Sequence, residues 1–303
     1  MTSLPIVDPH MHLWDFTRQH YSWLMDDPLP PNAAGDVAPI AKPYGLSEYL
    51  ADTEGYDLRG VVHVEAGAST AQSLAETQWL QGLADEGRLP MGLVAFAALN
   101  DPDVEKLLAA HAEHGAVRGI RHIINFHADP AKTYSARDVI GDADWQAGYA
   151  LLAKYGLSFD LQIYPSQMEV AAQLAARHPD IPVIINHAGM PTDRDEAGLA
   201  LWRRGLALLA AQPNVSIKIS GLAMIDREWT IDSLRPYVLH AIEAFGPDRA
   251  LFASNFPVDK LYGAFGTHYA AYDTITADFT DAERRAMFAG NANRIYRLGI
   301  AGL

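Results

Sequence analysis

His10 and His12 stand one residue apart near the end of a short β-branched run, Ile6-Val7-Asp8-Pro9-His10-Met11-His12-Leu13-Trp14-Asp15. On a strand, successive side chains alternate between faces, so Asp8, His10 and His12 are expected on one face and Met11 on the other. Two imidazoles that converge can bind a divalent ion through neutral ring nitrogens, or surround a developing negative charge with proton donors. An isolated His-x-His is more often a pair of ordinary histidines. Here the pair ends the first strand of a fold and runs into polar residues, which marks one edge of a site. Other polar groups close later apolar runs: His63 and Glu65; Arg121 and Asn125, with His122 on the opposite face; and Asp160, Gln162 and Tyr164. His187 follows Asn186, Lys218 lies between Ser216 and Ser220, and Asn255 precedes Asp259 in Ser254-Asn255-Phe256-Pro257-Val258-Asp259.

The elements that would carry these residues alternate regularly. Strands are expected at Ile6 to His12, Gly60 to Gly67, Met91 to Leu99, Val117 to Asn125, Leu157 to Tyr164, Pro182 to Ala188, Val215 to Ser220 and Ala250 to Asn255. Helical spacing is read between them, near Leu46 to Thr53, Ser73 to Glu86, Val104 to Leu108, Asp142 to Lys154, Ser166 to Arg177, Glu196 to Ala211 and Ile231 to Phe245. Two more helices are expected near Thr267 to Ala277 and Asp281 to Asn291. Eight strand-helix repeats imply a parallel sheet closed into a (β/α)8 TIM barrel, one domain over residues 1–303. A doubly wound open sheet is the alternative, but no Gly-x-Gly-x-x-Gly turn follows any strand. In such barrels the site lies at the C-terminal ends of the strands, where the polar residues recur. Phe16 to Gly45 is a long irregular excursion with many prolines. Its Tyr21, Trp23 and Leu24 predict a packed flap.

Hydrophobic residues make up 49% of the 303-residue chain and charged residues 20%, an ordinary globular balance that excludes a mainly disordered protein. The formal charge of −14 disfavours nucleic acid and anionic membranes as partners. With no cysteine, disulfides, thiolate ligands and a cysteine nucleophile are excluded. No apolar run has the length of a membrane span, and Met1-Thr2-Ser3-Leu4-Pro5 has no signal-peptide character, so a cytoplasmic protein is expected. Against this acidic background, His10, His12, His63, Arg121, His122, His187 and Lys218 gather near the barrel mouth, which favours a small anionic substrate. A homo-oligomer is compatible with the sequence.

Four segments resemble one family. Asp8-Pro9-His10-Met11-His12-Leu13-Trp14, Asn186-His187-Ala188-Gly189-Met190-Pro191, Lys218-Ile219-Ser220-Gly221-Leu222 and Ser254-Asn255-Phe256-Pro257-Val258 are similar to the lactonase branch of the amidohydrolase superfamily. That branch contains sugar lactonases of the fuconolactonase type, the pyrone dicarboxylate lactonase and a galactarolactone isomerase. The resemblance runs from the first strand to Gly290-Asn291-Ala292-Asn293-Arg294-Ile295-Tyr296 and implies a hydrolase that opens a small, carboxylate-bearing lactone by water attack. Lactone isomerisation, metal-dependent decarboxylation of aromatic acids and a non-catalytic binding barrel are the alternatives.

On this reading His10, His12 and His187 surround the carbonyl, either as donors to the oxyanion or through a single zinc or manganese ion. Arg121 and Lys218 hold the substrate carboxylate, and Tyr164, Trp14 and Trp23 supply walls. Glu65 is the first candidate to activate water and Asp259 the second, although a salt bridge from Glu65 to Arg121 is an equal expectation. The family pattern leads one to expect Asp on the eighth strand, where this chain has Asn255. A neutral amide cannot take a proton from water and is a weak ligand, so the expectation is a metal-free site with Asn255 donating a hydrogen bond to substrate. The absence of a bridging residue on the fourth strand and of a histidine on the fifth argues against a binuclear centre.

Overall fold

A computed structural model describes residues 4–303; Met1, Thr2 and Ser3 of the stretch read for a signal peptide lie outside the described residues. Eight parallel strands form one sheet in sequence order: β1 (Ile6–Met11), β2 (Leu58–Val64), β3 (Met91–Phe96), β4 (Val117–Arg121), β5 (Ser158–Leu161), β6 (Val183–Ile185), β7 (Val215–Ile219) and β8 (Ala250–Phe252). Helices separate them, and the sheet curls into a (β/α)8 barrel. All eight strands fall where the apolar runs place them. Most stop short of their expected C-terminal ends, because the backbone there turns into the loops that carry the polar residues.

The barrel closes beyond the regular ladder. The Asn255 N–H donates to the His10 carbonyl at 2.8 Å, and the His12 N–H to the Phe256 carbonyl at 2.7 Å. The seam that completes the sheet thus binds together the backbones of the two site segments.

Two apolar layers stabilise this frame. One lies between the strands and the outer helices, where Trp145, Phe159 and Tyr149 pack edge to face or stacked. The other fills the barrel interior with Val7, Val62, Val64, Val94, Ile184 and Leu251, and is plugged below by Ala289, Ala292 and Tyr296. The plug refines one expectation. Asp281 to Asn291 is helical as expected, but the helix runs on to Ile295 and carries a π turn over Ala286–Gly290 between its segments Asp281–Arg285 and Asn291–Ile295. The wider turn accommodates three consecutive buried residues, Met287, Phe288 and Ala289.

One correction concerns β1. The ladder to β2 slips between Asp8 and Met11, so an extra residue is accommodated there. Val7 therefore enters the interior, while Asp8 leaves the face of the histidines and accepts hydrogen bonds from the Tyr49 hydroxyl at 2.7 Å and the Ser254 N–H at 3.0 Å. Asp8 organises the seam from behind and does not face the site.

The Phe16 to Gly45 excursion is packed, as its aromatics predict. Tyr21 and Leu24 are buried, the Tyr21 hydroxyl donates to Glu76 at 3.1 Å, and the Trp23 indole N–H donates to the Ala66 carbonyl at 2.9 Å. Among the described residues no helix is long and apolar enough to cross a membrane.

Candidate active site

His12 is held in one tautomer. Its Nδ1 lies 2.7 Å from the Val64 carbonyl, which can only accept, so Nδ1 carries the proton and Nε2 presents a bare lone pair. That lone pair lies 3.4 Å from Asn255 Oδ1. The orientation of the amide follows from its other end, where Nδ2 donates to Asp259 Oδ1 at 2.8 Å. Asn255 has φ 56°, in the left-handed region that asparagine tolerates better than most residues. Asn255 thus turns its oxygen toward His12, while one N–H of the amide is taken by Asp259 and the other lies toward Met224 Sδ at 3.6 Å.

His187 sits in a turn where His187, Ala188, Gly189 and Met190 all have positive φ, a concentration of unfavourable backbone that is found mainly at functional sites. Its Nδ1 lies 3.0 Å from Ser220 Oγ. Gly221, at φ +64°, supports the ring from behind, since a Cβ there would lie 2.5 Å from His187 Nδ1. Gly221→Ala is expected to displace the imidazole and lower kcat about 10²-fold, the scale of an ångström of misplacement. Steady-state kinetics beside a melting curve checks this; unchanged kcat in a folded variant would show that the ring position is not critical.

His10 is wholly buried, and among the described residues neither ring nitrogen has a hydrogen-bond partner. Its ring centroid lies 5.0 Å from that of His12 and 4.6 Å from that of His187. All three imidazoles are held well below the usual histidine range, first by burial and then by cations, Lys218 acting most on His10 and Arg121 on His12 and His187. They are neutral at neutral pH.

Arg121 is clamped on one side. Its Nε donates to Glu65 Oε1 at 2.7 Å, one terminal nitrogen to the Glu65 carbonyl and the other to Gln162 Oε1 at 3.0 Å. A guanidinium has five N–H donors, so one remains on each terminal nitrogen. Glu65 also accepts the Gly67 N–H at 2.8 Å. Of the two readings of Glu65, the salt bridge is the one its contacts match: both carboxylate oxygens are engaged, and it does not line the chamber, so activation of water by Glu65 is not supported.

A chamber of about 240 Å³ brings His12, Arg121, His187 and Asn255 to one space, with Trp23, Asn32 and Ala34 of the flap closing one side. Tyr134, Met224, Ile123, Gln162 and Val258 also line it, with Ala66 and Gly67 of the loop after β2. Tyr134 and Met224 also line a neighbouring outer cleft of about 450 Å³, together with Tyr164, Lys132 and Arg227.

The amidohydrolase family model matches residues 7–298. The chain belongs to the amidohydrolase family. It is 44% identical over 299 residues to the y4mH protein of Sinorhizobium fredii, a match covering 98% of this chain and 100% of that one. It is 31% identical to an L-fucono-1,5-lactonase of Burkholderia multivorans, with 96% of each chain covered. A crystal structure of an amidohydrolase from Burkholderia multivorans with bound zinc superposes with TM-score 0.79 at 27% identity, covering 97% of this chain and 99% of that chain.

Three expected substrate contacts lie elsewhere in this amidohydrolase. Lys218 is fully buried below the chamber, ion-paired with Asp160 and set over the Tyr296 ring at 5.0 Å. Asp160 also accepts from the Tyr296 hydroxyl at 2.9 Å and from Asn186 Nδ2 at 3.1 Å. Lys218 is therefore a paired floor cation, and its position corrects the expectation that it grips a carboxylate. Trp14 is buried behind Trp23, with ring centroids 5.5 Å apart, and its indole N–H donates to the Lys42 carbonyl at 2.7 Å. Tyr164 lines the outer cleft and donates to the Lys132 carbonyl.

The zinc in the relative raises the question whether this amidohydrolase's residues could hold an ion. The unpartnered nitrogens of His10 and the neutral state of all three imidazoles are suitable donor chemistry. Yet among the described residues no three His, Asp or Glu side chains are arranged to hold a metal, and Asn255 brings no compensating charge. The residues as placed do not form a metal site.

Sequence reasoning missed Tyr134, Met224 and Asn32 as wall residues. Asn32 and Tyr134 sit in loops and Met224 in the one-turn helix Leu222–Ile225, stretches too short or irregular for periodicity to encode; only the length and aromatic content of the flap gave a hint.

Proposed function

We propose that this amidohydrolase opens the ring of a small, carboxylate-bearing lactone by attack of water on the carbonyl. The observation that carries the reading is the pair of acceptors, His12 Nε2 and Asn255 Oδ1, facing each other at 3.4 Å on the wall of a chamber that also contains Arg121. A water donating to both would turn its lone pairs toward the chamber, and His12 would take its proton as the water oxygen bonds to the carbonyl carbon. The tetrahedral oxyanion would be met by His187 Nε2–H, the tautomer in which Nδ1 accepts from Ser220, with His10 beside it. Collapse breaks the bond from the carbonyl carbon to the ring oxygen, which recovers the proton from His12. The product is the open hydroxy acid. The named activity of the L-fucono-1,5-lactonase relative supports this reaction class.

The two free N–H groups of Arg121 suit a bidentate carboxylate on the substrate. Arg121→Ala is expected to raise KM for a carboxylate-bearing lactone by an amount equivalent to about 2–4 kcal/mol. A neutral lactone should lose less. Acid release from a panel of charged and neutral lactones tests both points: equal losses would remove the carboxylate role, and absence of acid from every lactone would remove the hydrolase reading in favour of isomerisation or binding.

A further inference from the structure

We infer that Asp259 is a positioning residue that decides which end of the Asn255 carboxamide faces His12. A carboxamide has two ends of nearly equal shape and opposite hydrogen-bonding function, so its neighbours must choose between them. Asn255 has two competing acceptors. The bare Nε2 of His12 would be better satisfied by the amide N–H2 than by the amide oxygen now 3.4 Å away. On the opposite side, Asp259 Oδ1 holds that N–H2 at 2.8 Å, and among the described residues the only other hydrogen-bond contact of Nδ2 is a weak acceptor, Met224 Sδ at 3.6 Å. Asp259 offers an oxygen acceptor to this N–H2 in either protonation state, and when its carboxyl is ionised the bond is about twice as strong as a neutral one. The competition goes to Asp259, and the lone pair of His12 is left for something that enters the chamber.

The geometry of the turn reserves Asp259 for this task. It is 1% exposed, does not line the chamber, and its own N–H donates to the Asn255 carbonyl at 3.1 Å, which fixes the spacing between the two side chains. It also accepts the backbone N–H of Gly221, the residue that supports the His187 ring. One buried carboxylate therefore braces both sides of the chamber without touching its contents. Burial pushes its carboxyl up to about 7, against the lowering effect of the Asn255 and Gly221 donors.

This inference rests on the reading of His12 as the base. In Asp259→Asn the carboxylate is gone, the amide of Asn255 is free to invert, and its N–H2 occupies the His12 lone pair. The expected result is a kcat lower by about 10²-fold, within the range for lost proton transfer, with KM changed little. In ligand-free protein the ¹⁵N resonance of His12 Nε2 should move upfield, as an unprotonated nitrogen does on accepting a hydrogen bond. Combining Asp259→Asn with Asn255→Asp exchanges the two groups: the new amide at 259 donates to one oxygen of the new carboxylate at 255, and the other oxygen again faces His12. This exchanged protein should recover at least about tenfold of the lost kcat, which a merely structural role for Asp259 would not produce.

An unchanged His12 resonance in folded Asp259→Asn, or an exchanged protein no faster than Asp259→Asn, overturns the inference. If Asp259→Asn does not fold, the exchanged protein decides: measurable hydrolysis supports the role and a folded, inactive protein refutes it. Should the resonance shift while the wild-type protein hydrolyses no lactone, the proposed function falls and the role of Asp259 stands.

Discussion

His12→Ala is expected to lower kcat for lactone hydrolysis by about 10²–10⁴-fold, the range for loss of a proton-transfer group, and His187→Ala by about 10²–10³-fold, the range for loss of an oxyanion donor; His10→Ala, which removes the ring packed between them, should lower kcat as well. The three rings lie within 5.0 Å of their neighbours in the order His12, His10, His187, with His12 and His187 lining the chamber and His10 packed between them behind its wall, so their roles are coupled and double changes should fall far short of the product of the single losses. Stability should separate them. His12 loses its hydrogen bond to Val64, and His187 its contact with Ser220, so both alanine variants should melt lower. His10 has no hydrogen-bond partner to lose among the described residues. An unpartnered buried polar group costs on the order of 1–3 kcal/mol, so His10→Leu, which fills the space with apolar atoms, should melt at or above the wild-type temperature with a lowered kcat. Thermal melts beside kcat for each variant provide the check. A His10→Leu protein that melts well below wild type would mean that His10 has a structural partner when the chamber is empty.

The barrel was legible because each strand is a short, mostly apolar run followed by helical spacing, and the aliphatic residues of one face meet those of neighbouring strands in the interior. Arg121, His12, His187 and Asn255 were legible as strand-end residues for the same reason. What alternation cannot supply is depth. Lys218 and Asp160 were placed on the correct interior faces, but each lies about two residues below the level of Ser220 and Gln162, and at roughly 3.3 Å per residue that distance separates the floor from the mouth. At the floor, away from water, the two charges pair with one another. Nor can alternation survive an extra residue: the slip between Asp8 and Met11 turned Asp8 away from the histidines it was expected to join. Glu65 and Arg121 illustrate a third limit. Both ends of their ion pair were visible in the sequence, yet only the loop after β2, which brings the Gly67 N–H onto Glu65, shows that the carboxylate is fully engaged.

Asn255→Asp is expected to lower kcat and melting temperature together, although it restores the residue type that the family pattern leads one to expect. The reason lies in Asp259. In the native chain an amide N–H2 meets that carboxylate at 2.8 Å; after the substitution two carboxyl groups meet there in a buried turn. They cannot both ionise at that separation, so one proton must be shared between them, and the carboxyl at 255 is drawn toward Asp259 and away from His12. Replacing a buried donor by an acceptor leaves like partners facing each other, a change worth roughly 1–3 kcal/mol of stability. Protonation is one way to relieve the pair and a divalent cation is another, so the variant should also take up more zinc or manganese than wild type. Metal content by mass spectrometry, melting curves and lactone hydrolysis in chelator-treated protein distinguish the outcomes. Higher activity with unchanged metal content and unchanged melting temperature would show that a carboxylate at 255 is accommodated beside Asp259, and that Asn255 stands where a base was lost.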